Sequence, residues 1–86
     1  MTNPSNLVYL LRNASVRDLE RALLSDGFVL RRQTRTGGRF YTHDDGRATI
    51  IHYHHSSDTL PRGTLRSVLT ATRWIEDDAR RLGLLS

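Results

Sequence analysis

Two segments of the chain carry hydrophobic residues at helical spacing, and the first of them lies near the N-terminus. Its apolar stripe consists of Val16, Leu19, Ala22 and Leu23. This spacing predicts a helix over residues 15–26 that packs its apolar face in the core. Ser15 suits the N-cap, Asp18 in the first turn favours the helix dipole, and Gly27 can end the helix in a left-handed conformation.

The segment that follows this helix has the composition of β-strands separated by turns. Strands are predicted over residues 28–33, 39–43 and 47–54, and Asp44-Asp45-Gly46 is a typical hairpin turn between the second and the third. In the third strand, alternation places His52 and His54 on one face. Gly37 and Gly38 precede the second strand, either as a flexible hairpin loop or where the backbone approaches a phosphate closely.

The second amphipathic segment follows Pro61, which suits the first turn of a helix. It predicts a helix over residues 61–71, and Thr72 could cap a short helix over residues 73–82. The order α-β-β-β-α predicts an α+β domain, in which two helices cover one face of a three-stranded antiparallel sheet. Either the other face or the helix-to-sheet edge is then free for a partner. Residues 1–11 form an N-terminal extension, and its residues 6–11 fit either a helical turn or a strand.

Length and composition restrict the number of domains and the cellular compartment. Eighty-six residues form one small domain, and the absence of cysteine fits a reducing compartment. No apolar run approaches the roughly 20 residues needed to span a bilayer. The N-terminus has no basic region before its apolar patch, so it does not resemble a signal peptide. We therefore expect a cytoplasmic protein without a membrane partner.

The basic residues are all arginine, thirteen in number, and the net charge is +4. Five of them crowd into seventeen residues: Arg31, Arg32, Arg35, Arg39 and Arg47. A bias towards arginine codons or ordinary solubility could explain the composition. A local basic patch is also what nucleic-acid binding requires, because phosphates supply most of the affinity and the guanidinium fork matches them.

The histidines at positions 43, 52, 54 and 55 are the main candidates for chemistry. A metal site among them is disfavoured, because His55 alternates away from His52 and His54 and no cysteine is present. The chain has neither a Gly-x-Ser-x-Gly elbow nor a phosphate-binding loop ending in Lys-Ser or Lys-Thr. RNA cleavage needs less: a histidine base for the 2′-hydroxyl, and arginines or backbone amides around the phosphate.

Three segments of the chain resemble the HicA family, the toxin half of bacterial HicBA toxin–antitoxin pairs. Residues 19–33 match the opening helix-to-strand pattern of the family, and residues 41–47, YTHDDGR, resemble its Tyr-x-His-Pro-Asp-Gly-Arg turn. Residues 60–69, LPRGTLRSVL, are similar to its Leu-Pro-x-Gly-Thr-Leu-Arg-Ser-Ile-Leu signature. The resemblance covers about seventy residues in the same order, and it defines residues 12–86 as the HicA-like domain.

The resemblance implies a fold like a double-stranded-RNA-binding domain. It also implies an mRNA-cleaving toxin that needs no metal or other cofactor, and a HicB-like antitoxin that covers the active site. The expected RNA-binding residues are Arg31, Arg35, Gly37, Arg39 and Arg47.

One position departs from the family pattern. The family carries its catalytic histidine just before the second strand, and that position is Gly38 here. His43 and His55 are candidates to replace it, because family members often have histidine at both positions. Otherwise the protein is an inactive member that still binds RNA or antitoxin, or residue 38 was altered deliberately. An RNA-cleaving enzyme and a binding module therefore both remain open.

Overall fold

The computed structural model describes residues 4–86, with four helices and one three-stranded antiparallel sheet of order β1-β2-β3. The elements are α1 (Pro4–Leu10), α2 (Val16–Asp26), β1 (Val29–Gln33), β2 (Gly38–Thr42), β3 (Ala48–His52), α3 (Arg62–Thr72) and α4 (Glu76–Arg81). This confirms the predicted α+β class and the α-β-β-β-α order of a double-stranded-RNA-binding-like fold. Among the described residues, no helix is both long and apolar enough to cross a bilayer.

Helix α2 begins and ends as its sequence predicts. The Ser15 hydroxyl accepts a hydrogen bond from the Asp18 amide at 3.1 Å, and the Asp18 carboxylate accepts one from the Ser15 amide at 3.4 Å. This reciprocal pair satisfies amides that the first turn leaves without helical partners. At the other end Gly27 takes a φ of 104°, and its amide donates to the Leu24 carbonyl at 3.1 Å.

Residues 4–10 form helix α1, which includes most of residues 6–11, the segment for which the sequence allows either a helical turn or a strand. Its Leu7 and Val8 side chains are buried together with Leu11, and the helix packs against α3. The apolar residues of α1 therefore belong to the same core as those of α2 and α3.

Two predicted boundaries are wrong by two or more residues, and the other predicted strand and helix ends differ from the structure by at most one residue. Strand β3 ends at His52 instead of residue 54, because β2 begins at Gly38 and Gly37 turns the chain with a φ of 95°. The last helix begins at Glu76 instead of residue 73, because Arg73 takes a left-handed φ of 60° and ends α3. Thr72 caps no helix; its hydroxyl donates to the Leu69 carbonyl at 3.3 Å.

The alternation of the strands separates a covered sheet face from an open one. Tyr41, Thr49 and Ile51 are buried on the covered face. Phe40 and Ile50, which pair across β2 and β3, are exposed on the open face. The sequence predicted that one face of the sheet would remain uncovered, and it does.

The Asp26 carboxylate holds the end of α2 against the start of β3 and the C-terminal region. It is 9% exposed, and it accepts hydrogen bonds from the Trp74 indole at 2.9 Å and from Arg81 at 3.1 Å. Arg47 lies 3.1 Å from the same carboxylate. Burial opposes ionisation, but these three partners outweigh it and hold the pKa of Asp26 below its ordinary value.

Replacing Asp26 with asparagine is expected to lower the free energy of unfolding at pH 7 by about 2 kcal/mol, since hydrogen bonds to a charged group are lost. The depressed pKa stabilises the fold above the unfolded-state value of about 3.9, and this contribution disappears as the pH falls through the lower folded-state value. Urea denaturation should therefore show a difference between wild type and Asp26→Asn at pH 7 that shrinks below pH 4. A constant difference across this range would contradict the role of the ionised carboxylate.

Candidate functional site

The connection between β1 and β2 is a tight hairpin end built on Thr34 and the two glycines. The Thr34 amide donates to the Gly38 carbonyl at 2.8 Å, and the Gly38 amide donates to the Thr34 hydroxyl at 2.8 Å. An ideal Cβ on Gly37 would lie only 2.4 Å from the Tyr53 carbonyl oxygen. The close backbone approach at Gly37 is therefore made to the segment that follows β3.

Gly38 pairs with His52 across β2 and β3, and the imidazole of His52 leans over the glycine. An ideal Cβ on Gly38 would lie 2.8 Å from His52 Nε2 and 2.8 Å from the Thr34 hydroxyl. The ring nitrogen and the hydroxyl thus flank the space that a side chain on residue 38 would occupy.

A groove of about 510 Å³ extends from this point along the open sheet face. Its lining residues are Arg31, Arg32, Thr34, Gly38, Phe40 and Ile50. The pairing of β1 with β2 is irregular between Leu30 and Arg32. The Arg31 side chain donates to the Thr42 hydroxyl at 3.1 Å, and both Arg31 and Arg32 are exposed. The groove therefore combines apolar surface with two guanidinium groups.

A smaller groove of about 210 Å³ lies at the hairpin end. It is lined by Gln33, Thr34, Arg35, Gly37, Gly38, Arg39, Tyr53 and His54. Arg35 is exposed there. Four of the predicted RNA-binding residues line the two grooves that meet at Gly38: Arg31 in the open-face groove, and Arg35, Gly37 and Arg39 in the smaller one.

Two of the predicted RNA-binding arginines, Arg39 and Arg47, form ion pairs with carboxylates of the protein itself. Arg39 lies 3.3 Å from Glu20 of α2, and its guanidinium stacks over the Tyr53 ring at 5.1 Å. Arg47 is paired with Asp45 at 2.8 Å as well as with Asp26, and it also stacks over Phe28 at 4.9 Å. Neither side chain is part of the open-face groove.

Glu20 is a buried acid that sequence reasoning did not single out. Its carboxylate accepts hydrogen bonds from the Tyr41 hydroxyl and, at 3.1 Å, from the Tyr53 hydroxyl. Position 20 follows Val16 by one helical repeat and so falls beside the apolar stripe, which is the signal that could have identified it. The cluster joins α2 to β2 and to the segment behind His52.

Burial and the contacts with Glu20 change the pKa values of Tyr41, Tyr53 and Arg39. Burial and the hydrogen bond to Glu20 raise the pKa of Tyr41, and the same two causes raise the pKa of Tyr53. Burial works against the charge of Arg39, but the neighbouring Glu20 carboxylate outweighs it and raises the pKa of Arg39. Because the pKa values of Tyr41, Tyr53 and Arg39 are raised, the two tyrosines stay neutral and Arg39 stays charged near neutral pH.

The two histidines proposed as substitutes for the missing one lie elsewhere. His43 follows β2 at the end opposite Gly38; its Nε2–H donates to the Asp26 carbonyl at 2.8 Å, and its Nδ1 accepts from the Asp45 amide at 3.1 Å. The ring also packs edge-on against Phe28. His55 is exposed in the loop after β3, where its carbonyl accepts from the Asp58 amide.

His52 is the histidine that the structure brings to Gly38, and a signal for it was present in the sequence. Gly38 and His52 each lie seven residues from Asp45, the centre of the hairpin turn, so the turn itself sets them opposite one another. Among residues 4–86, no group of three or more histidine, aspartate or glutamate side chains is placed to hold a metal ion.

The comparisons with known proteins point to one family. A family model described as "HicA toxin of bacterial toxin-antitoxin" matches residues 16–74, from the first turn of α2 to just beyond α3. A search of curated proteins gives no significant match. The matched segment covers more than half of the chain and contains the whole sheet and both grooves at Gly38.

Proposed function

The chain belongs to the HicA family of bacterial toxin–antitoxin toxins, and on that premise we propose that it binds and cleaves mRNA in the cytoplasm without a metal ion. The observation that carries the proposal is a groove along the open sheet face, which begins at Gly38 beside the solvent-exposed His52 imidazole and is lined by the exposed Arg31 and Arg32. These are the groups that transfer of a phosphate ester requires when no metal takes part.

Cleavage proceeds by attack of a 2′-hydroxyl of the RNA on the adjacent phosphate. A base removes the proton from a 2′-hydroxyl, the O2′–P bond forms and the P–O5′ bond breaks. The 5′-oxygen takes up a proton, and the other product carries a 2′,3′-cyclic phosphate. Arg31 and Arg32 neutralise the charge on the phosphate oxygens, and their fork of donors suits that geometry.

The open sheet face also suits the bases of an RNA strand. Phe40 and Ile50 offer exposed apolar surface beside the arginines, and unpaired bases stack on aromatic rings in single-stranded RNA complexes. Family membership implies a cognate antitoxin. We propose that a HicB-like protein covers this same face and thereby excludes mRNA.

The direct test is incubation of the purified protein with a structured mRNA in the presence of a chelator. We expect cleavage products with cyclic phosphate ends, arrest of growth on expression, and suppression of both by a HicB-like antitoxin encoded beside this chain. If the protein at micromolar concentration bound the RNA but never cut it, that result would contradict the proposed ribonuclease activity. Because Gly38 supplies no side chain, that outcome would favour the second candidate, a binding module without chemistry.

Binding and cleavage can be separated through the arginines. Replacing Arg31 and Arg35 with alanine is expected to weaken RNA binding and to reduce the slope of log K against log salt by about 0.7 for each phosphate that the protein no longer neutralises. Arg21→Ala is the matched control, since Arg21 is an exposed arginine on α2 outside both grooves. Equal affinity of the double variant and the control, measured by fluorescence anisotropy, would show that the hairpin does not bind phosphate.

A further inference from the structure

We propose that His52 is the general base for RNA cleavage, an assignment that rests on the proposed function. It is not one of the residues that the family resemblance suggested, and it reaches the site from the neighbouring strand. Its Nε2 lies where a side chain on residue 38 would begin, 2.8 Å from the ideal Cβ position. The imidazole thus enters the site across the β2–β3 ladder.

The fold does not need the His52 ring, unlike the ring of His43. His52 is exposed at the end of the edge strand β3, and within the part of the chain that the structure describes its ring makes no hydrogen bond. His43 has both ring nitrogens engaged and packs against Phe28. A base must have a free nitrogen that reaches substrate, and His52 meets that condition.

Glycine at position 38 and histidine at position 52 depend on each other. Any Cβ at position 38 would press on the His52 ring and on the Thr34 hydroxyl, both at 2.8 Å. Contacts below 3.0 Å force one of the groups to move. The missing side chain therefore provides the room in which the His52 ring lies.

The residues that line the open-face groove provide the rest of the site. Arg31 and Arg32 line the groove that begins at Gly38, and the Thr34 hydroxyl lies on the other side of the vacant Cβ position. His54 lines the smaller groove at the hairpin edge and is the nearest rival. In the reaction, His52 Nε2 takes the 2′-hydroxyl proton as the O2′–P bond forms, and the 5′-oxygen leaves with a proton from solvent.

The test compares His52→Gln with His54→Gln and His55→Gln under single-turnover and steady-state conditions. Glutamine keeps a polar side chain but cannot accept the proton, so His52→Gln should lower kcat by about 100- to 10,000-fold while the Kd for a non-cleavable RNA changes less than about twofold. The matched control Arg21→Gln, on α2 outside both grooves, should keep kcat within about threefold of wild type, and His54→Gln and His55→Gln should each lower kcat far less than His52→Gln does. Added imidazole should restore part of the activity of His52→Ala and should not change that of Arg21→Gln.

The possible failures are distinguishable. Wild-type kcat in folded His52→Gln would overturn the assignment and leave the ribonuclease intact. Loss of activity in His54→Gln instead would place the base at the hairpin edge. A wild-type protein that binds RNA without cutting it would overturn both the assignment and the proposed function. Thermal melting by circular dichroism checks each fold, and an exposed substitution of this kind should alter stability by only about 0.5 kcal/mol.

Discussion

Transferring the histidine from β3 to β2 is expected to preserve RNA cleavage. The single variant His52→Ala should lose about 100- to 10,000-fold in kcat, and adding Gly38→His to it should recover at least about 100-fold. A side chain on residue 38 would project into the space that the His52 ring fills in the wild type. Removal of that ring leaves only the Thr34 hydroxyl to rotate away.

The matched control is Gly38→Ala in the same His52→Ala background. It places a Cβ at the same point and causes the same displacement of Thr34, but it supplies no base. We expect it to bind RNA and to remain inactive in a gel assay of mRNA cleavage. If the histidine and alanine versions were equally inactive while both were folded, residue 38 could not position a base, and the family's histidine would not transfer to this chain.

The single variant Gly38→His distinguishes two cases: either His52 has replaced the family's general base, or the protein has no general base. If Gly38 marks only the loss of a base, then a histidine there should raise activity by orders of magnitude. If His52 already serves as the base, the new side chain displaces its ring, and kcat should stay within about tenfold of wild type. The same cleavage assay thus decides between an inactive relative and one that has moved its imidazole to the facing strand.

The sequence predicted the parts of the fold that depend on near neighbours. Helix α2 has its cap, its stripe and its terminal glycine within a short stretch of chain, and the turn at Asp45 fixes how β2 and β3 pair. The end of β3 could not be predicted in the same way. It depends on Gly37, which lies in the connection between β1 and β2 and turns the chain in that connection.

The site was predicted less completely because its contacts are between distant segments. The charge pattern placed Arg39 in an RNA-binding patch, yet its partner Glu20 lies nineteen residues away on α2. Arg47 likewise forms an ion pair with Asp26. The irregular pairing beside Arg31, which lets two consecutive arginines line one groove, has no signature in the sequence. His52 was predictable from the hairpin register, since pairing follows from the turn.

Replacing Gly37 with alanine is expected to be the most damaging small substitution in the domain. Gly37 has a φ of 95°, and an added Cβ would lie 2.4 Å from the Tyr53 carbonyl oxygen, which is backbone and cannot rotate away. The left-handed conformation costs a non-glycine residue about 1–2 kcal/mol, and forced overlap in a packed region adds about 1–3 kcal/mol. We expect a decrease of about 4 kcal/mol in the free energy of unfolding, measured by urea denaturation.

Gly46→Ala isolates the first of these contributions. Gly46 has a φ of 98°, nearly that of Gly37, but an added Cβ there meets nothing within 4 Å. It should therefore lose only the conformational part, about 1–2 kcal/mol, and keep wild-type cleavage. In Gly37→Ala the displaced Tyr53 backbone would also move its neighbour His52, so cleavage per folded molecule should fall as well. Equal loss of stability in the two variants would show that the Tyr53 segment yields freely and that Gly37 does not hold His52 in place.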